Sequence, residues 1–326
     1  MPKRVPITLA CGDYDRTAAL TSGEIEVEGV ELTWLTLPVE ETFFRMLRYR
    51  EFDAAEMSLS SYVMTLERDA PFIAIPVFPS RAFRHNAIYV SQASGITSPA
   101  DLPGRVAGLA EWQLTANVWI KGILNERHGV PPTALSYRTG GLHQPGRVAK
   151  LAHDPPPGVH IEAIPPGKTL AAMLAEGEID VLYTPRTPRV QGDVRRLFTD
   201  PRAEEESYFA ATGIFPIMHV VVLRRDLYEQ RPWLARSLYK AFDRARVAAV
   251  DRVAETAANR YLLPWAYADV ERTRRVMGTD FWTYGLAGNE NTLRTFLRYA
   301  REQGLISGQP DPAALFAPET LESYVI

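Results

Sequence analysis

Met46-Leu47-Arg48-Tyr49-Arg50-Glu51-Phe52-Asp53 recurs as Met173-Leu174-Ala175-Glu176-Gly177-Glu178-Ile179-Asp180, with four positions identical and a fifth apolar in both copies. Each copy reads as the end of a helix, a tight turn and the approach to a short strand. A polar loop then follows: Glu56-Met57-Ser58-Leu59-Ser60-Ser61 after the first copy, Tyr183-Thr184-Pro185-Arg186 after the second. The pattern predicts two lobes built alike.

Outward from these copies, short β-rich runs alternate with amphipathic helical stretches, the signature of an α/β fold with mainly parallel strands. Ile7 to Ala10 reads as a buried strand, Gly29 to Leu35 as a half-buried one, and Glu41 to Arg50 as a helix with Phe43, Phe44 and Leu47 inward. A second pairing supports the first. His85-Asn86-Ala87-Ile88-Tyr89-Val90 and His219-Val220-Val221-Val222-Leu223 each set a histidine at the mouth of a β-branched strand. Taken as crossovers, these strands give lobe one as residues 1–90 plus 220–326, with the C-terminal helices packed on it, and lobe two as residues 91–219. Such a protein is expected to close an interdomain cleft around a small anion.

Composition narrows the partners. A chain of 326 residues is long enough for two lobes, and a net charge of −3 offers no basic stripe for nucleic acid. Cys11 is the single cysteine, which excludes an internal disulfide framework. Lys3, Arg4 and the run to Cys11 faintly resemble a lipoprotein signal. Only six residues separate Arg4 from Cys11, however, where a secretory core needs about 7–15. No stretch reaches the ~20 apolar residues of a membrane helix. A cytoplasmic location without a membrane partner is expected, and the oligomeric state, monomer or homo-oligomer, stays open.

Ligands of open α/β sheets gather at the carboxyl ends of strands and at helix N-termini. That rule selects Asp13-Tyr14-Asp15-Arg16 after the first strand, Asp13 foremost, and Glu56, Ser58, Ser60 and Ser61 after the first copy. It also selects Arg81, Arg84 and His85 at the first crossover, Glu111, Trp112 and Thr115 ahead of a helix, Tyr183 and Arg186 after the second copy, and His219 at the return. Ser60, Ser61 and Thr115 are expected N-caps whose helices favour an anion. Arg81, Arg84, Arg138 and Arg186 can grip carboxylates in two-pronged fashion, or pair with surface acids. His85 and His219 can carry protons near neutral pH, or serve as structural residues. Glu56 and Glu111 sit among apolar or small residues, a setting that can raise a carboxyl pKa and suit acid–base work; the alternative is structural hydrogen bonding to a neighbouring helix N-terminus. Glu56, His85 and His219 could gather a divalent cation but match no recognised ligand spacing, so no cofactor is expected. Phosphate-loop, dinucleotide-turn, GxSxG and HExxH motifs are absent.

Several loops together resemble one family. They are Leu9-Ala10-Cys11-Gly12-Asp13-Tyr14-Asp15-Arg16, Glu41 to Leu47, Phe52 to Tyr62, Ile75 to His85, Tyr137-Arg138-Thr139-Gly140-Gly141 and Gly213 to His219, and the likeness runs on to Phe316-Ala317-Pro318-Glu319-Thr320-Leu321-Glu322. In these the chain resembles the 4,5-dihydroxyphthalate decarboxylase family. The resemblance implies a type 2 periplasmic-binding-protein-like fold, with two mixed sheets flanked by helices and an interdomain cleft. It further implies a cytoplasmic carboxy-lyase that turns 4,5-dihydroxyphthalate into protocatechuate and carbon dioxide during phthalate degradation. Asn86 and the loop Asp154-Pro155-Pro156-Pro157 depart from the pattern and bear on fine specificity. On this reading Arg81, Arg84 and Arg186 hold the carboxylates, His85 or His219 delivers the proton, and Glu56 or Glu111 orients the hydroxyls in a cofactor-independent reaction. A solute-binding protein for an aromatic carboxylate and another enzyme on the same fold are the alternatives.

Overall fold

A computed structural model describes residues 3–321 apart from 148, 152, 191, 258 and 259. It divides into two compact units, unit 1 of Met1–Arg81, Ile217–Arg294 and Pro310–Ile326 and unit 2 of Ala82–Pro216 and Thr295–Gln309. Among the described residues, eleven strands form two mixed sheets. They are β1 (Val5–Ala10), β2 (Val30–Leu35), β3 (Ala54–Ser58), β4 (Phe72–Ile75), β5 (Ile88–Ser91), β6 (Val106–Leu109), β7 (Ser136–Thr139), β8 (His160–Ala163), β9 (Val181–Tyr183), β10 (Val194–Arg196) and β11 (His219–Arg224).

Unit 1 carries the order β2-β1-β3-β11-β4, with β1 parallel to β2 and β3 and β11 antiparallel to β3 and β4. Unit 2 carries β10-β5-β9-β6-β7-β8, with β6 parallel to β7 and β9 and β5 antiparallel to β9. The run β2-β1-β3-β11 therefore corresponds to β7-β6-β9-β5. The paired sequences Met46–Asp53 and Met173–Asp180 lead into the equivalent strands β3 and β9.

The shared aspartate explains the repeat. Asp53 exchanges backbone bonds with the neighbouring strand, its N–H donating to the Thr8 carbonyl at 3.0 Å while its carboxylate accepts the Thr8 N–H at 2.9 Å. Asp180 does the same with Val106, at 2.9 Å in both directions. One residue thus pins the start of β3 to β1 and the other the start of β9 to β6. Just before each aspartate a left-handed turn ends the preceding helix, at Gly177 (φ 75°) in unit 2 and at Arg50 (φ 51°) in unit 1. Glycine adopts that conformation without penalty; arginine does not.

Ile7 to Ala10 is a core strand as its apolar run predicts, with Leu9 and Ala10 fully buried. The helix expected over Glu41–Arg50 runs over Val39–Tyr49 and buries Thr42, Phe43 and Met46. Phe44, expected inward, is exposed and set edge-on against Tyr49. The 3.6-residue period brings Phe43 and Met46 to one face and turns Phe44 away. In unit 2, Phe296 and Tyr299 pack on Trp119 with ring centroids 5.6 Å away. Gly122 makes room for Tyr299, because a Cβ there would lie 2.2 Å from its ring. Among the described residues no helix is long and apolar enough to cross a membrane.

Candidate active site

In unit 1 the parallel strands β1 and β3 end side by side, and the antiparallel β11 begins at that same end of the sheet. Glu56 on β3 stands opposite Val221 of β11, and Ser58 stands opposite His219. Glu56 and His219 are therefore diagonal neighbours on one face, roughly 7–8 Å apart at the backbone and within reach of two long side chains. His219 Nδ1 meets Glu56 Oε1 at 2.5 Å. The same oxygen accepts the Tyr14 hydroxyl at 2.8 Å, while Oε2 accepts the Gly12 N–H at 2.9 Å and the Cys11 thiol at 3.4 Å.

Complete burial pushes the Glu56 carboxyl up, but attraction to a protonated His219, the His219 hydrogen bond and the Gly12 and Tyr14 donors outweigh it, and the net shift is downward. The expectation of a raised pKa at Glu56 is thereby corrected: apolar neighbours in sequence do not foretell four donors gathered from distant segments. An ionised Glu56 fixes the proton of His219 on Nδ1, which leaves Nε2 to exchange protons. The Cys11 thiol is buried, and burial together with Glu56 pushes its pKa well up, so it stays an unreactive thiol.

Tyr14, from the loop that the strand-end rule selects after β1, joins this cluster, whereas Asp13 of the same loop is exposed. Its ring lies over Gly12, where a Cβ would approach it to 2.7 Å. Arg16 covers Tyr14 from outside, 4.1 Å from the ring, and stacks on Trp282 at 4.2 Å. Arg16 Nε donates to the Pro79 carbonyl at 2.5 Å and Trp282 Nε1 to that of Phe78 at 3.1 Å, so backbone acceptors hold the stack in place. The sequence signal for Tyr14 is Gly12, two residues past the buried strand, followed two residues later by an aromatic hydroxyl.

The serines need correction as caps. The helix Leu59–Leu66 takes Ser58 as its N-cap, and Ser60 and Ser61 are buried within its first turn. Ser58 and Ser60 hydroxyls lie 3.1 Å apart. Arg81 is buried in unit 1, where Nη2 donates to the Thr283 carbonyl at 2.8 Å and to the Asn289 side chain. Burial lowers its pKa to about 9.

In unit 2, Glu111 is a buried acceptor for Arg147 (2.9 and 2.6 Å), Lys150 (2.9 Å) and Gln113 (3.0 Å). Burial raises its pKa, and Lys150 and Arg147 more than reverse that, so the raised value expected at Glu111 is also corrected. Thr115 is the first residue of the helix Thr115–His128, and Leu114 takes the N-cap position assigned to it by sequence. Trp112 is buried, donates to the Gln303 carbonyl at 3.0 Å and meets Tyr137 edge-on. His85 is packed between Phe198 and Tyr208, and burial lowers its pKa to about 4. Arg84 is lowered to about 10 by burial. Arg138 pairs with Glu162 at 3.1 Å, Tyr183 is buried at the end of β9, and Arg186 is exposed with its backbone N–H on Thr184. Glu56 and His219 belong to unit 1 and His85 to unit 2. Among the described residues no group of three or more His, Cys, Asp or Glu side chains is placed to hold a metal ion.

No family model matches the chain. A 4,5-dihydroxyphthalate decarboxylase of Comamonas testosteroni is 40% identical over 328 residues, covering 99% of both chains. One of Pseudomonas putida is 40% identical over 213 residues, 64% of this chain and 83% of its own. Among solved structures, the periplasmic aliphatic sulphonate binding protein of Escherichia coli aligns with a TM-score of 0.55 at 13% identity, over 97% of this chain and 99% of its own. The ligand-binding component of an ABC-type import system from Staphylococcus aureus aligns at 0.52 and 12% identity, over 98% and 99%. These structures give the fold, that of periplasmic binding proteins, and the full-length sequence identity gives the family: the chain belongs to the 4,5-dihydroxyphthalate decarboxylases.

Proposed function

We propose that this protein is a carboxy-lyase that converts 4,5-dihydroxyphthalate to protocatechuate and carbon dioxide. The observation that carries the proposal is the 40% identity over 99% of the chain to a decarboxylase of that name. The Glu56–His219 pair supplies a fitting acid–base group. Each carboxylate of this substrate has a hydroxyl para to it. When that hydroxyl gives its proton to a base, electron density moves through the ring to the carbon bearing the carboxylate. That carbon takes a proton, the bond to the carboxylate breaks, and its electron pair restores the aromatic ring. One proton has replaced one carbon dioxide, and the ring itself serves as the electron sink.

We assign proton delivery to Nε2 of His219, with Glu56 fixing the ring from the other side. Glu56 already accepts four donors, so it acts through His219 and not on the substrate. Carboxylate binding is assigned to Arg81 in unit 1 and, separately, to Arg84 and Arg186 in unit 2. Burial holds the first two at about 9 and about 10, a cost that an incoming carboxylate offsets.

Incubation with 4,5-dihydroxyphthalate, following carbon dioxide and protocatechuate together, tests the reading. Equimolar formation of both is expected, reduced at least 100-fold in His219→Ala. Tight binding without turnover would instead favour a solute-binding protein, the role named for the structural relatives. Full activity of a folded His219→Ala would remove the assigned acid.

A further inference from the structure

Unit 1 contains a recess of about 320 Å³ that the proposed chemistry does not use. It lies between the helix Trp233–Val253, the helix Ala266–Met277, the turn Asp15–Thr17 and the pair Phe281-Trp282. Its wall is mainly apolar, built from Ala249, Val250, Val253, Val270, Phe281 and Trp282. We infer that this recess is a second binding site, for a neutral aromatic molecule of one or two rings, and that its occupancy is felt at the Glu56–His219 pair through Arg16.

Size sets the first limit. An apolar cavity of about 150 Å³ admits benzene, and ligand pockets begin near 300 Å³, so this space accommodates a substituted ring or two fused rings. Charge sets the second. The two arginines at the recess are already matched by carboxylates: Arg246 binds Asp243 at 2.8 Å and Asp280 at 2.6 Å, and Arg16 binds Asp15 at 3.0 Å. The remaining charged side chain in the lining is Asp269, another carboxylate. Among the described lining residues no surplus positive charge is left to repay an anion for its lost water, so a dicarboxylate is rejected and an uncharged ring is accepted. The link to the acid–base pair is a short run of contacts. Trp282 lines the recess and stacks on Arg16 at 4.2 Å; Arg16 covers Tyr14 at 4.1 Å; the Tyr14 hydroxyl donates to Glu56 Oε1 at 2.8 Å, the oxygen that also receives His219. A ring packed on Trp282 alters the stack that fixes Tyr14, and so the hydrogen bond that shares Oε1.

The test uses the full chain with 1-naphthol as probe and 1-naphthoate as its charged counterpart, by calorimetric titration near pH 7, independently of any turnover. One saturable 1-naphthol site is expected, with 1-naphthoate at least tenfold weaker. Two filling variants from different helices, Ala249→Phe and Thr273→Trp, should each weaken 1-naphthol at least tenfold, near-UV circular dichroism reporting that they fold. Thr273 is partly exposed, which lets that variant fold if Ala249→Phe does not. In the unsubstituted chain, 1-naphthol should move the NMR signal of His219 Hε1. No saturable binding, equal affinity for 1-naphthoate, or undiminished binding in a folded filling variant overturns the site. Saturation that leaves the His219 signal in place overturns the coupling.

Discussion

Replacing Glu56 by Gln probes the acid–base pair with almost no change of shape. Oε1 of Glu56 accepts from His219 and Tyr14, and Oε2 accepts from Gly12 and Cys11. A glutamine offers one oxygen, so one of these positions becomes an NH₂ donor. With its oxygen toward His219, the amide confronts the Gly12 N–H, and a buried donor loses its acceptor at about 1–3 kcal/mol. With the amide turned over, NH₂ faces Nδ1, which can accept only if the ring proton moves to Nε2. The doubly protonated ring that would deliver a proton is then opposed by a donor and has lost its counter-charge. The comparable exchange in a serine-protease triad lowers kcat by about 10⁴-fold, and a fall of about 10³–10⁴-fold with KM little changed is expected for Glu56→Gln. Product formation gives kcat, and ¹⁵N NMR of the His219 ring reports which nitrogen carries the proton. Stability supplies an independent sign. The folded-state pKa of Glu56 lies below its ordinary 4.5, so its contribution is complete above pH 4.5 and is lost as pH falls through the lower value. The variant should lack that part of the acid transition. A folded Glu56→Gln that keeps kcat within fivefold of the parent, with the Nδ1 proton unmoved, would refute the reasoning.

Three further outcomes follow from the geometry. His85 has its pKa lowered from 6.5 to about 4, so the unfolded chain binds the extra proton first and stability should fall by about 3 kcal/mol as pH drops from 6.5 to 4. His85→Phe should flatten that slope in urea titrations across the range, and an unchanged slope would contradict the assignment. Glu111→Gln leaves Arg147 and Lys150 facing a neutral side chain, and chemical denaturation should show a loss of about 3 kcal/mol; a loss under 0.5 would mean the cluster contributes little. Arg50→Gly relieves a left-handed arginine at φ 51° and should stabilise by about 1 kcal/mol, a few degrees in Tm, because the exposed ion pair it gives up with Asp69 contributes little. Calorimetry that finds destabilisation would refute it.

Much of the architecture was legible because it is written in local patterns. The apolar run Ile7–Ala10, the helix around Phe43 and the twin segments ending in Asp53 and Asp180 all announce themselves within about ten residues. The site was legible only in part. Glu56 and His219 could each be named from strand ends, but their meeting depends on antiparallel pairing of segments 163 positions apart. His85 and His219 look alike in sequence, each before a β-branched strand. One finds a carboxylate and the other two aromatic rings, and that difference lies wholly in tertiary neighbours. The caps failed for a different reason: Ser58 and Leu114 take non-helical backbone angles (ψ 128°), placing the first helical turn one to three residues earlier than the hydroxyls suggested.

The aspartate clasp carries a consequence beyond holding two strands. Because side chains alternate along a strand, a slip of one residue at Asp53 would turn Glu56 to the opposite face and part it from His219. A side chain with no role in proton transfer thus decides which way the carboxylate looks. Three residues beyond Asp53 stands Glu56; three residues beyond Asp180 stands Tyr183, buried opposite Ile88 of β5 as Glu56 is opposite Val221 of β11. The two sheets are thus cut from one pattern and fitted with different tips, a charged one in unit 1 and an uncharged phenol in unit 2. Chemistry in this chain is an inlay in a duplicated frame, and the frame's own repeat marks where the inlay sits.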